Sequence, residues 1–216
     1  TTIAMLLGGS LASNGKKVAI VDFDIKDGQI GYLSGASKPQ TIGDLSNQAF
    51  TQKELKDIAI HNEKLQVDLF ASPNSRREFS PFMSGSFYSK ILEELKKSYN
   101  YVIVDTGAFS SKDESTPVAY ENADHVLLVS APRLYSLEWL SELIERLSAS
   151  NKMFGFNIDK NRMSIILNKS VKNIGLTAED ISKAANDVEI LSVIPNETEI
   201  VIGAANRKAM ETILTF

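Results

Sequence analysis

The chain has 216 residues, with 23 Lys and Arg against 27 Asp and Glu for a formal net charge of −4, and it contains no cysteine. Its length and 43% hydrophobic content suit one large α/β domain or two small ones with a full core. The cysteine count excludes a disulfide scaffold, a thiolate zinc site, a cysteine-ligated iron–sulfur cluster and a cysteine nucleophile, and the mild acidity gives no global attraction for nucleic acid or anionic lipid.

Helix-period and apolar segments alternate along the chain. Thr2–Asn14 reads as a helix closed by Gly15, a residue suited to the left-handed turn beyond a helix end. Lys17–Asp24 and Gln66–Ser72 read as strands, followed by a helix over Phe87–Tyr99 with Ile91, Leu92 and Leu95 on one face. Tyr101–Gly107 and His125–Ala131 are further strands. Ser136–Ser150 is a helix with Leu137, Leu140, Ile144 and Leu147 on one face. Lys152–Arg162 reads as a loop and Met163–Lys169 as a strand. Thr177–Asn186 is a helix with Thr177 as N-cap and acids in its first turn, and Glu189–Pro195 is the last strand. Several strands are apolar at consecutive positions, as in a parallel sheet buried on both faces. Strand–helix–strand repetition then implies right-handed crossovers and a doubly wound, mostly parallel sheet with helices on both faces, one domain over residues 1–216. The apolar runs are strand-length, short of the ~20 residues that span a bilayer, and no signal peptide is visible, so a cytoplasmic protein is expected.

Ligands of open α/β sheets bind just beyond the carboxyl ends of the strands. Two of those ends carry acids followed by glycine-containing segments: Asp22-Phe23-Asp24 and Asp105-Thr106-Gly107. Acids so placed suit a hard cation such as Mg²⁺, which takes one or two carboxylates plus water and phosphate oxygens. An Asp at a strand end can equally cap the next turn. The opening Thr1-Thr2, running straight into a helix, reads as the hydroxyl pair that follows a phosphate-binding loop.

Together these segments resemble the deviant-Walker P-loop ATPases of the ParA/MinD family, from Thr1 to about Met210. The resemblance rests on Thr1-Thr2 and its helix, Gly15-Lys16-Lys17 leading to Asp-Phe-Asp, and the strand ending at Asp105. His125–Pro132 before Ser136-Leu137, Ile165–Lys169, and Val193–Asn196 followed by Ala204–Arg207 complete it. Leu69–Pro73 looks most like the CpaE/TadZ branch, associated with pilus assembly and polar localisation. The resemblance implies a P-loop NTPase fold whose first strand, loop glycines and lysines lie upstream of Thr1. It implies that Thr1 binds Mg²⁺, Thr2 contacts the phosphates, Asp24 positions the attacking water, and Asp22 and Asp105 hold the metal through waters. Gly107 would admit the γ-phosphate, and Asn168, Pro195 and Asn196 would meet the adenine.

The implied protein is a Mg²⁺-dependent ATPase switch. It would form a homodimer on ATP and position a partner assembly, such as a pilus or secretion system, at the cell pole or the inner face of the membrane, with only peripheral membrane contact. Ile25-Lys26 departs from the family's usual Pro-Gln after the second Asp. A nucleotide-insensitive scaffold and a DNA-partitioning ATPase are the alternatives. For the second, Lys169, Lys172 and Arg207-Lys208 would form a basic edge, against which the net charge argues. Asn168 and Pro195-Asn196 are also ordinary turn chemistry. His61 and His125 lack metal-ligand spacing, Trp139 reads as packing or interface, and Arg76-Arg77 as a solvated pair. Met210–Phe216 is too short for a membrane-binding amphipathic helix.

Overall fold

In the computed structural model, Val18–Asp22 forms a strand, β1, in which all five residues are buried. The structure describes residues 1–25, 27–36, 40–46, 49–73, 83–107, 114–149, 156–170, 176 and 178–196. They form two compact units, one within Thr1–Asn122 and one within Ala123–Thr198.

The first unit runs α1 (Thr2–Ser13), β1, α2 (Ile30–Leu33), α3 (Gln52–Asp57), β2 (Ile60–Asn62), β3 (Val67–Phe70), α4 (Gly85–Lys96), β4 (Tyr101–Asp105) and α5 (Ser115–Asn122). Its sheet has the order β2-β3-β1-β4, with β1 parallel to both β3 and β4 and β2 antiparallel at one edge. Alternation along β1 sends Ala19 and Val21 into a core with Tyr88, Ile91, Leu92 and Leu95 of α4 and Val118 and Ala119 of α5. Val18 and Ile20 point the other way, onto Met5 of α1 and onto Leu65, Val67 and Leu69. Burial of both faces explains the unbroken apolar run in the sequence.

The α1 helix sits low on that second face because Gly8 has no side chain: a Cβ there would lie 2.6 Å from Ile20 Cδ1. The start of α4 is set by Ser84, whose Oγ accepts from Phe87 N at 3.4 Å, two residues ahead of the expected helix start.

The second unit runs β5 (Val126–Ser130), α6 (Leu134–Ser148), β6 (Met163–Ser170), α7 (Ala178–Ala185) and β7 (Glu189–Pro195). Its three strands are parallel in the order β5-β6-β7, with register shifts between Ile165 and Ile166 and again after Leu167. The expected apolar face of α6 is buried, at Leu137, Leu140, Ile144 and Leu147.

All six expected strands are present, each within three residues of its expected bounds. Among the described residues, five elements come without an expectation: α2, α3, α5, the edge strand β2 and a 3₁₀ turn over Ile42–Leu45. Within the expected loop, Lys160–Arg162 is a 3₁₀ turn capped by Asp159, whose Oδ1 accepts from Asn161 N at 2.9 Å. Thr177 as an N-cap and the loop residues 152–155 lie outside the described residues. So do Lys26, Arg76, Arg77, Lys172 and everything from residue 197 onward, the Arg207-Lys208 pair included.

Adding a side chain under α1 tests this packing. Gly8→Val is expected to lower the unfolding free energy by about 1–3 kcal/mol, read from denaturant midpoints, because its branches would overpack against fully buried Ile20.

Candidate functional site

Because β1 and β4 are parallel and in register, Asp22 stands beside Asp105 at the same end of the sheet. The chain then turns sharply. Asp22 is fully buried, and its carboxylate holds the turn together: Oδ1 accepts from Asp24 N at 2.9 Å and Oδ2 from Ile30 N at 3.1 Å. Phe23 drops its ring into the core, 4.8 Å between centroids from Tyr88. Its N–H donates to Asp105 O at 2.8 Å.

Asp24 Oδ1 accepts from Asp27 N at 3.0 Å. The Asp24 carboxyl also lies against Gly107, where a Cβ would come within 2.8 Å of Asp24 Cγ. Thr1 is the N-cap residue of α1, and its nitrogen lies 3.0 Å from Asp105 Oδ1. Thr2 is the first residue of that helix. The first unit therefore brings Thr1, Asp22, Asp24, Asp105 and Gly107 to one end of β1 and β4, with Thr2 beside Thr1.

Asn168, Pro195 and Asn196 belong to the second unit and lie together at the ends of β6 and β7. Pro195 pairs with Ser170, and Asn196 N donates to Ser170 O at 2.8 Å. Asn168 Oδ1 accepts from Lys169 N at 2.9 Å, next to the left-handed φ of 60° at Lys169. That is the turn chemistry weighed from sequence, and it leaves the adenine role a proposal.

Three contributors escaped the sequence reading. Gly28 is a wedge rather than a flexible spacer, since a Cβ there would meet Ser72 Oγ at 1.7 Å and Asp22 Oδ2 at 2.9 Å. Ser72, past the end of β3, donates to Asp24 O at 3.0 Å, and buried Ser115, first residue of α5, donates to Phe23 O at 2.9 Å. Gly28, near the strand-tip Asp22, was a visible signal; Ser72 and Ser115, 48 and 92 residues from Asp24 and Phe23, were not. The histidines take local roles: His61 Nδ1 pairs with Asp68 Oδ1 at 2.7 Å, and His125 Nε2 lies 3.0 Å from Ser164 Oγ. Trp139 is exposed on α6, its Nε1 donating to Tyr135 OH at 3.1 Å.

Burial pushes the Asp22 carboxyl up to about 7, helped by the negative charges of Asp105 and Asp24 and opposed by the N–H groups of Ile30 and Asp24. Among the described residues no group of three or more His, Asp or Glu forms a ready-made metal cage. A hydroxyl at a helix start with two carboxylates fits Mg²⁺, which fills the rest of its shell with water and phosphate oxygens.

Comparison with known proteins gives this geometry a context. A family described as an AAA domain matches residues 1–160. The septum site-determining protein MinD of Thermotoga maritima is 28% identical over 211 residues, covering 94% of this chain and 73% of that protein. The structure of a ParA family ATPase from Chlorobium tepidum superposes with a TM-score of 0.73 at 23% identity, over 98% of this chain and 91% of that one. The septum site-determining protein MinD from Pyrococcus horikoshii, complexed with Mg-ADP, superposes with a TM-score of 0.68 at 19% identity, over 99% and 87%. The chain has the α/β P-loop NTPase fold of these ATPases.

The raised Asp22 carboxyl has a pH signature. Between its ordinary value and about 7 the folded protein holds a proton that the unfolded chain has released, so this group weakens the fold as the pH climbs through that window. The stability of the wild type relative to Asp22→Asn is therefore expected to fall between about pH 4 and about pH 7, by up to ~1.4 kcal/mol per pH unit within the window, and to level off above it. Urea titrations at several pH values check this; a difference independent of pH contradicts it.

Proposed function

Since the chain belongs to the ParA/MinD-type P-loop ATPase family, we propose that it is a Mg²⁺-dependent ATPase switch acting through a nucleotide-gated homodimer. The carrying observation is the gathering of Asp22, Asp24, Asp105, Gly107 and Thr1 at the carboxyl ends of two adjacent parallel strands. Phosphoryl transfer needs little covalent help beyond a positioned water and neutralised charge. Asp24 is the residue to orient that water: its carboxylate accepts from Asp27 N and lies against Gly107. Asp105, with Asp22 beside it in register and Thr1 at the start of α1, would hold Mg²⁺, and Thr2 at the helix start would meet phosphate oxygens. When bound, the ion supplies charge neutralisation at the phosphates. In this reading Gly107 lets backbone approach the γ-phosphate, and Asn168, Pro195 and Asn196 meet the adenine.

The positioning role is supported by the relatives' kind, septum site-determining and ParA proteins. Among the described residues no helix is long and apolar enough to cross a membrane. Recruitment to the pole or to the inner face of the membrane would be peripheral or through partner proteins. A place in the CpaE/TadZ branch, with a pilus or secretion assembly as cargo, rests on the sequence of Leu69–Pro73 alone.

Calorimetry on full-length protein tests the reading. ATP is expected to bind in the presence of Mg²⁺, and Asp24→Ala to keep that binding while hydrolysis falls by at least about 10²-fold. Absence of ATP binding sinks the proposal. Unchanged assembly and localisation in Asp24→Ala would favour a nucleotide-insensitive scaffold.

A further inference from the structure

Resting on the reading of Asp24 as the residue that orients water, we propose that Ser72 and Ser115 are positioning residues for that reaction. They clamp the Phe23-Asp24 peptide from two sides. All four main-chain polar groups of this dipeptide are held. Phe23 N donates to Asp105 O at 2.8 Å and Asp24 N to Asp22 Oδ1 at 2.9 Å. Phe23 O accepts from Ser115 Oγ at 2.9 Å and Asp24 O from Ser72 Oγ at 3.0 Å. The first two bonds come from β1 itself and its sheet neighbour β4. The serine bonds reach in from elsewhere, from beyond the end of β3 and from the first turn of α5.

With its peptide groups fixed in this way, the backbone sets the Cα–Cβ direction of Asp24, and the Asp27 N–H on Oδ1 completes the placement of its carboxylate. Phe23 is anchored in the core by its ring against Tyr88, and each serine hydroxyl donates to one carbonyl of the turn that carries the carboxylate. Ser115 has a second consequence. Asp105 and Ser115 both bond to Phe23, one through its N–H and one through its carbonyl, so the end of β4 and the start of α5 are held to the same residue.

The test uses full-length protein with Ser72→Ala, Ser115→Ala and the conservative Ser72→Thr. Three readouts are taken: Mg-ATP affinity, single-turnover hydrolysis, and amide exchange at Asp24, Asp27 and Ile30 in nucleotide-free protein. The alanine variants are expected to keep affinity within about twofold while hydrolysis falls about tenfold or more, since small misplacements of a reacting group cost that much. Their three amides exchange faster, and Ser72→Thr recovers most of the rate because it keeps the donor. Hydrolysis within about twofold of wild type in both alanine variants overturns the proposal, as does a rate loss matched by an equal loss of affinity. If the wild type itself binds no ATP, the underlying reading fails instead. Exchange then still decides the clamp, and unchanged protection at all three amides refutes it.

Discussion

The Asp22 carboxylate is the contact on which the rest of the site depends. It is fully buried and accepts two main-chain N–H bonds, from Asp24 and from Ile30. A buried carboxylate is costly unless hydrogen-bonded, and its raised pKa shows that the cost is only partly offset. What the two bonds achieve is shape: they hold Asp24 and Ile30 against the end of β1, and Gly28 is the residue that fits between Asp22 and Ser72. The same turn brings the Asp24 carboxyl against Gly107. One side chain thus sets the geometry of the strand tip while contributing charge to it.

Beneath that tip, the sheet of the first unit supplies rigidity. β1 is sandwiched between α4 and α5 on one face and α1 on the other, and its neighbours β3 and β4 run parallel to it. Parallel register puts chemically active residues from separate strands side by side without any loop having to find them. Asp22 beside Asp105 is the direct product of that register. The start of α1 reaches the same end, and Gly8 lets the helix lie against Ile20.

Much of this was legible in the amino-acid order. Strands buried on both faces announce themselves as unbroken apolar runs, and Lys17–Asp24 and Tyr101–Gly107 contained β1 and β4. Helices with one apolar stripe, such as α4 and α6, were equally plain. The α5 helix was not: it carries Pro117 in its first turn and buries the polar Ser115 and Thr116, so no stripe marks it. β2 is a three-residue edge strand containing His61 and Asn62, too short to show a period. The α3 helix buries only Leu55, although its capping box of Thr51 and Glu54 was there to be read. At the site, the strand-tip rule exposed Asp22, Asp24 and Asp105, while the serines that hold the turn stayed hidden. Their bonds join residues far apart in sequence, and a lone serine carries no periodic signal.

The central claim is that this strand tip hydrolyses ATP with Asp24 as the group that orients water. Release of γ-phosphate from Mg-ATP by full-length wild-type protein and by Asp24→Asn, compared under single turnover at equal nucleotide occupancy, tests it most directly. The account requires slow but measurable release by the wild type and release near background by the variant. Equal rates from the two proteins would contradict it.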